Sequence, residues 1–181
     1  MGENLAVKQL LEFHSIRRVI YQYSRALDRC DLDLLKDVYW PDATHEHGSF
    51  NGNAHEFADY AVPAIRKKFL RTLHSIANIH VDVQGDFADS ESYVTAYHMI
   101  SGDPEVVRSI FGEEYPDRHK NSGAATIDFI YLGRYIDRFE CRPGEWRIKR
   151  RVLTWAMRRI VEAILFLLRG GLPWRMGEMP A

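Results

Sequence analysis

The stretch Leu73-His-Ser-Ile-Ala-Asn-Ile-His-Val-Asp-Val-Gln-Gly-Asp86 marks the point where helical spacing gives way to strand-like patterns. Residues 73–83 predict a strand, and Gly85-Asp86 is a turn signal that leads the chain back beside it. Further strands are predicted at 91–100, 124–140 and 145–157, the last two joined by a turn at Arg142-Pro143-Gly144. Because tight turns join antiparallel neighbours, this half of the chain predicts an antiparallel sheet.

Before this stretch, the chain has the spacing of helices. An apolar stripe in residues 5–29 recurs at intervals of three and four, and it comprises Leu10, Phe13, Ile16, Ile20, Tyr23 and Leu27. Asp31 is the expected N-cap of a short second helix that stops at Pro41-Asp42, and residues 53–70 predict a third helix. Between these two helices, residues 43–50 predict a short strand that ends at Asn51-Gly52.

Helices followed by a run of strands are typical of an α+β domain rather than of alternating βαβ units. We therefore expect three helices packed across a cone-shaped, strongly curved and mainly antiparallel sheet. The chain has 181 residues, 46% of them hydrophobic, which fits a single domain over 1–181 with residues 159–181 as a C-terminal tail or helix. Residues 102–122, which are rich in charge, predict a lid or interface loop around a short helix.

The bulk composition limits the classes of partner. A formal net charge of -1 does not favour nucleic acid, which would need a strongly basic face. The apolar run Ile160–Leu168 is far shorter than the roughly 20 residues of a membrane span, and the N-terminus lacks a signal-peptide pattern. Cys30 and Cys141 form no CxxC pair, so we expect no disulfide framework and a cytoplasmic location.

Two histidines lie on apolar faces of predicted strands. Period-two alternation puts His74 on one face with Ile76 and Asn78, and His98 lies on a neighbouring strand. A buried imidazole is either a core residue with a satisfied hydrogen bond or part of a site. Asp28 stands at the end of the first helix, which is unfavourable for an anion, and an imidazolium partner would explain its position.

Other polar residues of the predicted sheet are more ambiguous. His45 and His47 share a strand face, but no third ligand has metal-site spacing, so we expect no metal and a rim or structural role. Arg134 lies between apolar neighbours and either reaches solvent or anchors an oxygen of a substrate. In the last strand, alternation predicts one face with Trp146, Ile148 and Val152 and a solvated face with Arg147, Lys149 and Arg151.

Several motifs together resemble the SnoaL-like branch of the nuclear transport factor two superfamily. They are Tyr23-Ser-Arg-Ala-Leu-Asp28-Arg-Cys-Asp31, Val38-Tyr-Trp-Pro-Asp-Ala43, His47-Gly48 with Phe50 and Gly52, His74-Ser-Ile-Ala-Asn78 with Gly85-Asp86, and Gly133-Arg134-Tyr135 with Trp146-Arg147-Ile148. The resemblance covers about residues 8–157. It implies a cone-shaped barrel, whereas the functions found on this fold range from dehydratases to non-catalytic binders.

Within this superfamily, the closest functional resemblance is to scytalone dehydratase, hexachlorocyclohexane dehydrochlorinase and bile-acid dehydratase. Those enzymes use an Asp–His dyad without a cofactor, and Asp28 and His74 match its two positions. The resemblance also implies catalytic roles for His98 and Tyr23 and a substrate-binding role for Arg134. We add Asn78 and the wall residues Tyr39, Trp40, Phe50, Phe57 and Phe129 to the predicted substrate-binding set.

The sequence thus favours a cofactor-independent lyase, of the dehydratase or dehydrohalogenase type, acting on a small apolar substrate up to polycyclic or terpenoid size. His74 would act as the base and Asp28 would hold its tautomer. Two alternatives stay open. One is a non-catalytic role, as the small subunit of an aromatic-ring dioxygenase or a ligand-binding module, and the other is an isomerase or cyclase with the same pocket.

A homodimer or homotrimer is also predicted, because Leu153, Trp155 and an apolar strip in the tail (Ile160, Ile164, Leu165, Leu168) would form an exposed patch.

Overall fold

The computed structural model describes residues 2–113 and 126–162, apart from the side chains of residues 2–5, 155 and 158–162. Four helices precede or interrupt the strands: α1 (Gly2–Arg29), α2 (Leu32–Asp37), α3 (Ala54–Lys68) and α4 (Pro104–Phe111). The strands are β1 (Tyr39–His47), β2 (Phe50–Asn53), β3 (Arg71–Gln84), β4 (Phe87–Ser101), β5 (Thr126–Arg142) and β6 (Glu145–Glu162).

The six strands of the described residues form one sheet in the order β2-β1-β6-β5-β4-β3. The chain runs antiparallel through β3, β4, β5 and β6, and among these six strands only the contact between β1 and β6 is parallel. The curved sheet carries the N-terminal helices on one face, where the buried stripe Ile16, Ile20, Tyr23 and Leu27 of α1 joins the core. The predicted α+β class with a mainly antiparallel curved sheet is confirmed.

The junction between α1 and α2 follows from local capping. The amide of Asp31 donates to the carbonyl of Ala26 (2.9 Å) and the amide of Cys30 to that of Leu27 (3.1 Å), with Cys30 in the left-handed region (φ 52). These two backbone hydrogen bonds form the pattern that ends a helix and turns the chain sharply. The Asp31 carboxylate then accepts from the amide of Leu34 (3.0 Å), as the N-cap prediction expected. Asp28 is thereby held in the last turn of α1.

The strand predicted at 43–50 is in fact a hairpin. β1 begins earlier, at Tyr39, and the chain turns at Gly48 (φ 61) rather than at Asn51-Gly52. Asn53 instead caps α3, because its side-chain oxygen accepts from the amides of His55 (2.8 Å) and Glu56 (3.3 Å). The same residue types serve turns and caps, so the sequence pattern alone did not separate the two roles.

Two bulges change which face of a strand is buried. The pairing of β3 with β4 shifts between Ala77 and His80, where Asn78 adopts a positive φ of 47. The pairing of β5 with β6 shifts between Arg138 and Phe139, which leaves Lys149 without a Cα partner. An extra residue in one strand reverses the inward and outward faces beyond it. The predicted solvated position of Arg151 is therefore wrong: Arg151 is fully buried.

Gly133 marks a close approach in the middle of β5. A Cβ atom at this position would clash with the hydroxyl oxygen of Tyr131 and with the carbonyl oxygen of Thr154. The Tyr131 hydroxyl uses that space to donate to the Thr154 carbonyl (2.6 Å). Only glycine allows this contact.

Three further expectations concern the surface. No helix in the described part of the chain is long and apolar enough to cross a membrane. Cys30 and Cys141 are free thiols. Of the residues behind the oligomer prediction, Leu153 is buried rather than exposed, whereas the side chains of Trp155 and Ile160 and residues 163–181 lie outside the described residues.

Candidate functional site

A cavity of about 590 Å³ opens between the inner face of the sheet and α3. Among the described residues, three histidines from three different strands line it, His47 on β1, His74 on β3 and His98 on β4. Most of the wall is apolar or aromatic, and it includes Leu27, Phe50, Phe57, Ile65, Phe69, Ala96, Phe129, Tyr131, Tyr135 and Leu153. A largely apolar cavity with a few convergent polar groups is typical of a small-molecule site.

Asp28 and His74 form a hydrogen-bonded pair at this cavity. The Nδ1–H of His74 donates to Asp28 Oδ1 (2.7 Å), and the backbone N–H of His74 donates to Asp28 Oδ2 (2.9 Å). The Thr72 hydroxyl adds a third hydrogen bond to Oδ1 (3.0 Å). These contacts leave the Nε2 atom of His74 as the ring nitrogen without a hydrogen bond in the described part of the chain.

The charge state of the pair follows from these bonds. Burial raises the pKa of Asp28, but the hydrogen bonds from the ring and the backbone of His74 outweigh it, so the pKa lies below the usual value. Asp28 is therefore an anion at neutral pH. A carboxylate on Nδ1 keeps the proton on that nitrogen and leaves the lone pair on Nε2, as a general base requires.

His98 stands next to this pair. Its ring lies edge-to-face on His74, with 5.5 Å between centroids, and it also contacts the rings of Phe69 (4.7 Å) and Phe129 (5.7 Å). Burial and the neighbouring His74 lower the pKa of His98 to about 4, so the ring is neutral at pH 7. Its Nδ1 atom is buried and has no hydrogen-bond partner among residues 2–113 and 126–162.

His47 belongs to a second polar group, on β1. The Tyr39 hydroxyl lies 2.8 Å from His45 Nδ1, and His45 Nε2 lies 3.5 Å from His47 Nδ1. Burial lowers the pKa of His45 well below its ordinary value, and burial together with His74 lowers that of His47 to about 4. The sequence predicted that His45 and His47 share a face, but it did not predict that His47 reaches the same cavity as His74.

Four predicted site residues lie elsewhere. Tyr23 and Tyr39 are fully buried behind the cavity wall and do not line it. Asn78 is exposed, because the bulge at this residue turns it away from the face of His74. The side chain of Arg134 lies on the exposed face of the sheet, where it pairs with Glu91 (3.3 Å) and lies over the ring of Tyr93.

Trp40, a fifth predicted residue, lies at the edge of the core and is also absent from the cavity wall. Its indole N–H donates to the Glu140 carbonyl (2.9 Å), and the guanidinium groups of Arg142 and Arg147 cover its ring. These contacts hold Trp40 at the edge of the sheet, away from the cavity. Phe50, Phe57 and Phe129, by contrast, do line the cavity as predicted.

A buried ion pair, which the sequence did not reveal, supports the wall from behind. Arg151 donates two hydrogen bonds to Asp137, from Nε (2.7 Å) and Nη2 (2.6 Å), and both side chains are fully buried. The guanidinium lies between the rings of Tyr23 (4.0 Å) and Tyr135 (4.2 Å). Tyr23 thus packs on the buried guanidinium of Arg151. It does not lie at the cavity, where the sequence predicted a catalytic role for it.

The described residues hold no group of three or more His, Cys, Asp or Glu side chains that could bind a metal ion. The three histidines of the cavity come from separate strands, and the Nδ1 of His74 is already occupied by Asp28.

Comparison with known proteins agrees with this architecture. The sequence model of the SnoaL-like domain matches residues 8–152. An uncharacterized protein of Mycobacterium tuberculosis is 25% identical over 165 residues, which are 87% of this chain and 94% of that protein.

Two solved structures illustrate the similarity of fold. A protein of Novosphingobium aromaticivorans, provisionally named scytalone dehydratase, has a TM-score of 0.66 and 24% identity over 85% of this chain and 90% of its own. The hexachlorocyclohexane dehydrochlorinase LinA-type3 of Novosphingobium barchaimii has a TM-score of 0.68 and 14% identity over 90% and 98%. At these identities the two structures show a shared fold. Because the family model spans most of the chain, this protein belongs to the SnoaL-like family.

Proposed function

We propose that this protein is a lyase that removes a proton from carbon and expels a leaving group, with His74 as the base and Asp28 as its orienting partner. The observation that carries the proposal is the 2.7 Å bond between Asp28 and the Nδ1–H of His74 at the wall of an apolar cavity. The family and its dehydratase and dehydrochlorinase neighbours are consistent with it.

The proposed reaction is an elimination, which combines a proton transfer with the loss of a leaving group. His74 Nε2 takes a proton from a carbon next to an electron-withdrawing group, and the electrons of that C–H bond form a double bond. The leaving group departs with the electrons of its own bond to carbon. No net oxidation occurs, so the reaction as proposed proceeds without a cofactor. Asp28 stabilises the imidazolium that forms, which is the role of the carboxylate in other His–Asp pairs.

The cavity supports a small and largely apolar substrate. Its volume lies in the range of sites for small organic molecules. Phe50, Phe57 and Phe129 provide flat apolar walls that suit a ring system. The hydrogen-bonded pair favours an enzyme over a binding module, which would need the cavity but not the pair. The pair and the open cavity together favour an enzyme over a dioxygenase small subunit, which would need neither. An isomerase or cyclase would share the first proton transfer and differ in the later steps of the reaction.

A ring-opening elimination probe tests the base directly. 5-Nitrobenzisoxazole loses one carbon-bound proton to a base, its N–O bond breaks, and a coloured phenolate forms. We expect the protein to accelerate this reaction, and His74→Ala and Asp28→Asn to lower kcat/KM by about 10²–10⁴-fold. His80→Ala is a matched control, because His80 is exposed on the same strand. Equal activity of the wild type and His74→Ala would refute the proposal.

A further inference from the structure

The curvature of the sheet brings two differently arranged histidines to one cavity. His47 lies on β1 and His74 on β3, which stand near opposite edges of the sheet order, yet both rings line the same space. His74 has its Nδ1 atom bonded to a carboxylate. The Nδ1 atom of His47 instead faces the Nε2 atom of another imidazole, that of His45, at 3.5 Å.

The direction of the hydrogen bonds along Tyr39, His45 and His47 can be deduced from Tyr39. Its phenol is fully buried, and burial raises its pKa well above the ordinary value, so the hydroxyl keeps its proton. The Tyr39 hydroxyl oxygen lies 2.8 Å from His45 Nδ1. A buried O–H donates where it can, so Tyr39 is the donor and His45 Nδ1 is the acceptor.

The remaining proton positions can then be assigned. A neutral imidazole carries one N–H, so His45 has its proton on Nε2 and donates it toward His47 Nδ1. The 3.5 Å separation is at the long limit of a hydrogen bond. His45 is held in place because it stacks on Phe57, with 3.7 Å between ring centroids. His47 therefore accepts at Nδ1 and carries its own proton on Nε2.

We propose that the chain Tyr39–His45–His47 fixes His47 as a hydrogen-bond donor at the cavity, and that its Nε2–H stabilises the atom that gains negative charge when His74 removes the proton. This inference rests on the proposed function. It assigns His47 a catalytic role and makes Tyr39 and His45 positioning residues. It also narrows the substrate to molecules with an oxygen at the developing charge, because an imidazole N–H bonds oxygen better than a halogen.

His74 and His47 have different catalytic roles in this proposal because they are held in different tautomers. His74 presents a lone pair, and His47 presents an N–H, although both rings are aromatic bases of the same kind. His47 stays neutral and donates a hydrogen bond rather than a proton, since loss of its proton would leave an imidazolate. Where the leaving group is hydroxide, the imidazolium of His74 returns the abstracted proton to it, and the products are an alkene and water. Neutral histidine is a known electrophilic group of this type.

The tautomers can be measured without a substrate. In a uniformly ¹⁵N-labelled sample at pH 7, long-range ¹H–¹⁵N correlation spectra distinguish a protonated ring nitrogen from an unprotonated one. We expect the Nε2–H form for His47 and the Nδ1–H form for His74. Tyr39→Phe removes the first donor and is expected to give His47 a mixture of both forms. A wild-type His47 in the Nδ1–H form, or no change in Tyr39→Phe, would overturn the proposed chain.

Tyr135→Phe is the control for that variant. Tyr135 is similarly buried and belongs to the same aromatic cluster, with 5.4 Å between its ring centroid and that of Tyr23. It is not a member of the chain Tyr39–His45–His47, so the variant removes a buried phenol oxygen without removing a donor of the chain. We expect the tautomer of His47 to be unchanged in Tyr135→Phe. A shift of equal size in both variants would reveal a general packing effect and would count against the proposal.

The catalytic role is tested by the dependence on the leaving group. Unsubstituted benzisoxazole releases a poorer phenolate than its 5-nitro derivative, so it needs more help at the departing oxygen. We expect His47→Phe to lower kcat by about 10²-fold on the poorer probe and by clearly less on the nitro probe. His47→Gln, which keeps an N–H donor, should recover part of the loss, and Tyr39→Phe should lower kcat with little change in KM.

The outcomes separate this inference from the proposed function. An equal loss on both probes in His47→Phe, or no loss, would refute the role of His47 while His74 remains the base. If the wild type accelerates neither probe, the proposed function fails and the catalytic role of His47 fails with it, but the tautomer measurement still decides the hydrogen-bonded chain.

Discussion

Histidines that are buried in neutral form make the stability of this protein sensitive to acid. The pKa of His47 and that of His98 are each lowered to about 4, chiefly by burial and secondly by His74. An exposed histidine in the unfolded chain has a pKa near 6.5. Between these two values the unfolded state binds more protons than the folded state, so the stability is fully present above about pH 6.5 and falls as the pH drops toward about 4.

We predict a slope of about 1.4 kcal/mol per pH unit for each such histidine in this window. Urea denaturation at several pH values from 4.5 to 7.5 measures the free energy of unfolding and hence the slope. His98→Phe should reduce the slope by about one proton equivalent, because the apolar ring fills the site without titrating. His80→Phe serves as the control for the substitution itself, because His80 is exposed. An unchanged slope in His98→Phe would contradict the prediction.

At the scale of single elements, Asn78 shows how one backbone conformation redirects a strand. Its φ of 47 lies in the left-handed region, which asparagine and glycine tolerate and β-branched residues do not. Before the bulge, His74 and Ile76 point inward, and after it Ile79, Val81 and Val83 do so. The bulge therefore allows one long strand to serve both the cavity and the core.

We predict that Asn78→Gly keeps the free energy of unfolding within about 0.5 kcal/mol of the wild type, whereas Asn78→Val lowers it by about 1–2 kcal/mol. Chemical denaturation measures both values. Because Asn78 is exposed and points away from the cavity, Asn78→Gly should also retain elimination activity. A large loss of activity in a stable Asn78→Gly protein would restore the original prediction that this residue binds substrate.

At the scale of the whole molecule, Asp137 and Arg151 tie the sheet to the first helix. The pair joins β5 to β6, and the guanidinium packs on Tyr23 of α1. A buried ion pair contributes little net stability over an apolar pair, but the loss of one partner leaves an uncompensated charge in the core.

We predict that Asp137→Ala lowers the free energy of unfolding by about 3–5 kcal/mol, and that Asp137→Leu combined with Arg151→Met recovers much of the loss. The exposed pair of Asp89 with Arg138 joins neighbouring strands at 2.6 Å and provides a matched comparison. Asp89→Ala should cost about 0–1 kcal/mol, because solvent screens this pair. Similar losses for Asp137→Ala and Asp89→Ala in urea denaturation would show that burial does not make the difference.

The oligomeric state also belongs to this scale, and a homodimer or homotrimer remains our prediction. Leu153 no longer supports it, since this residue lines the cavity. The outer face of the sheet does offer exposed apolar side chains, among them Leu73, Tyr93 and Ile136. Light scattering at micromolar concentration should give two or three times the 21.1 kDa mass of the chain. A monomeric mass would contradict the prediction.

The succession of helices and then strands, and the pairing of Asp28 with His74, were accessible from the sequence by itself. Apolar spacing of three and four predicted α1, and alternation with turn signals predicted the strands, because these periods depend on local backbone geometry. Asp28 was recognisable as an anion at an unfavourable helix end, and the resemblance to dehydratases identified His74 as its partner. The family model and the fold comparisons confirmed the SnoaL-like assignment.

Only the tertiary structure decided which polar residues face the cavity. The bulge at Asn78 and the shift at Lys149 each reverse the alternation of a strand, so Asn78 turned outward and Arg151 turned inward against the pattern. The cavity position of His47 depends on the curvature of a sheet whose first and third strands are separated by three others. Bulges and curvature arise from pairing between distant segments, and a local pattern of residue types does not encode them.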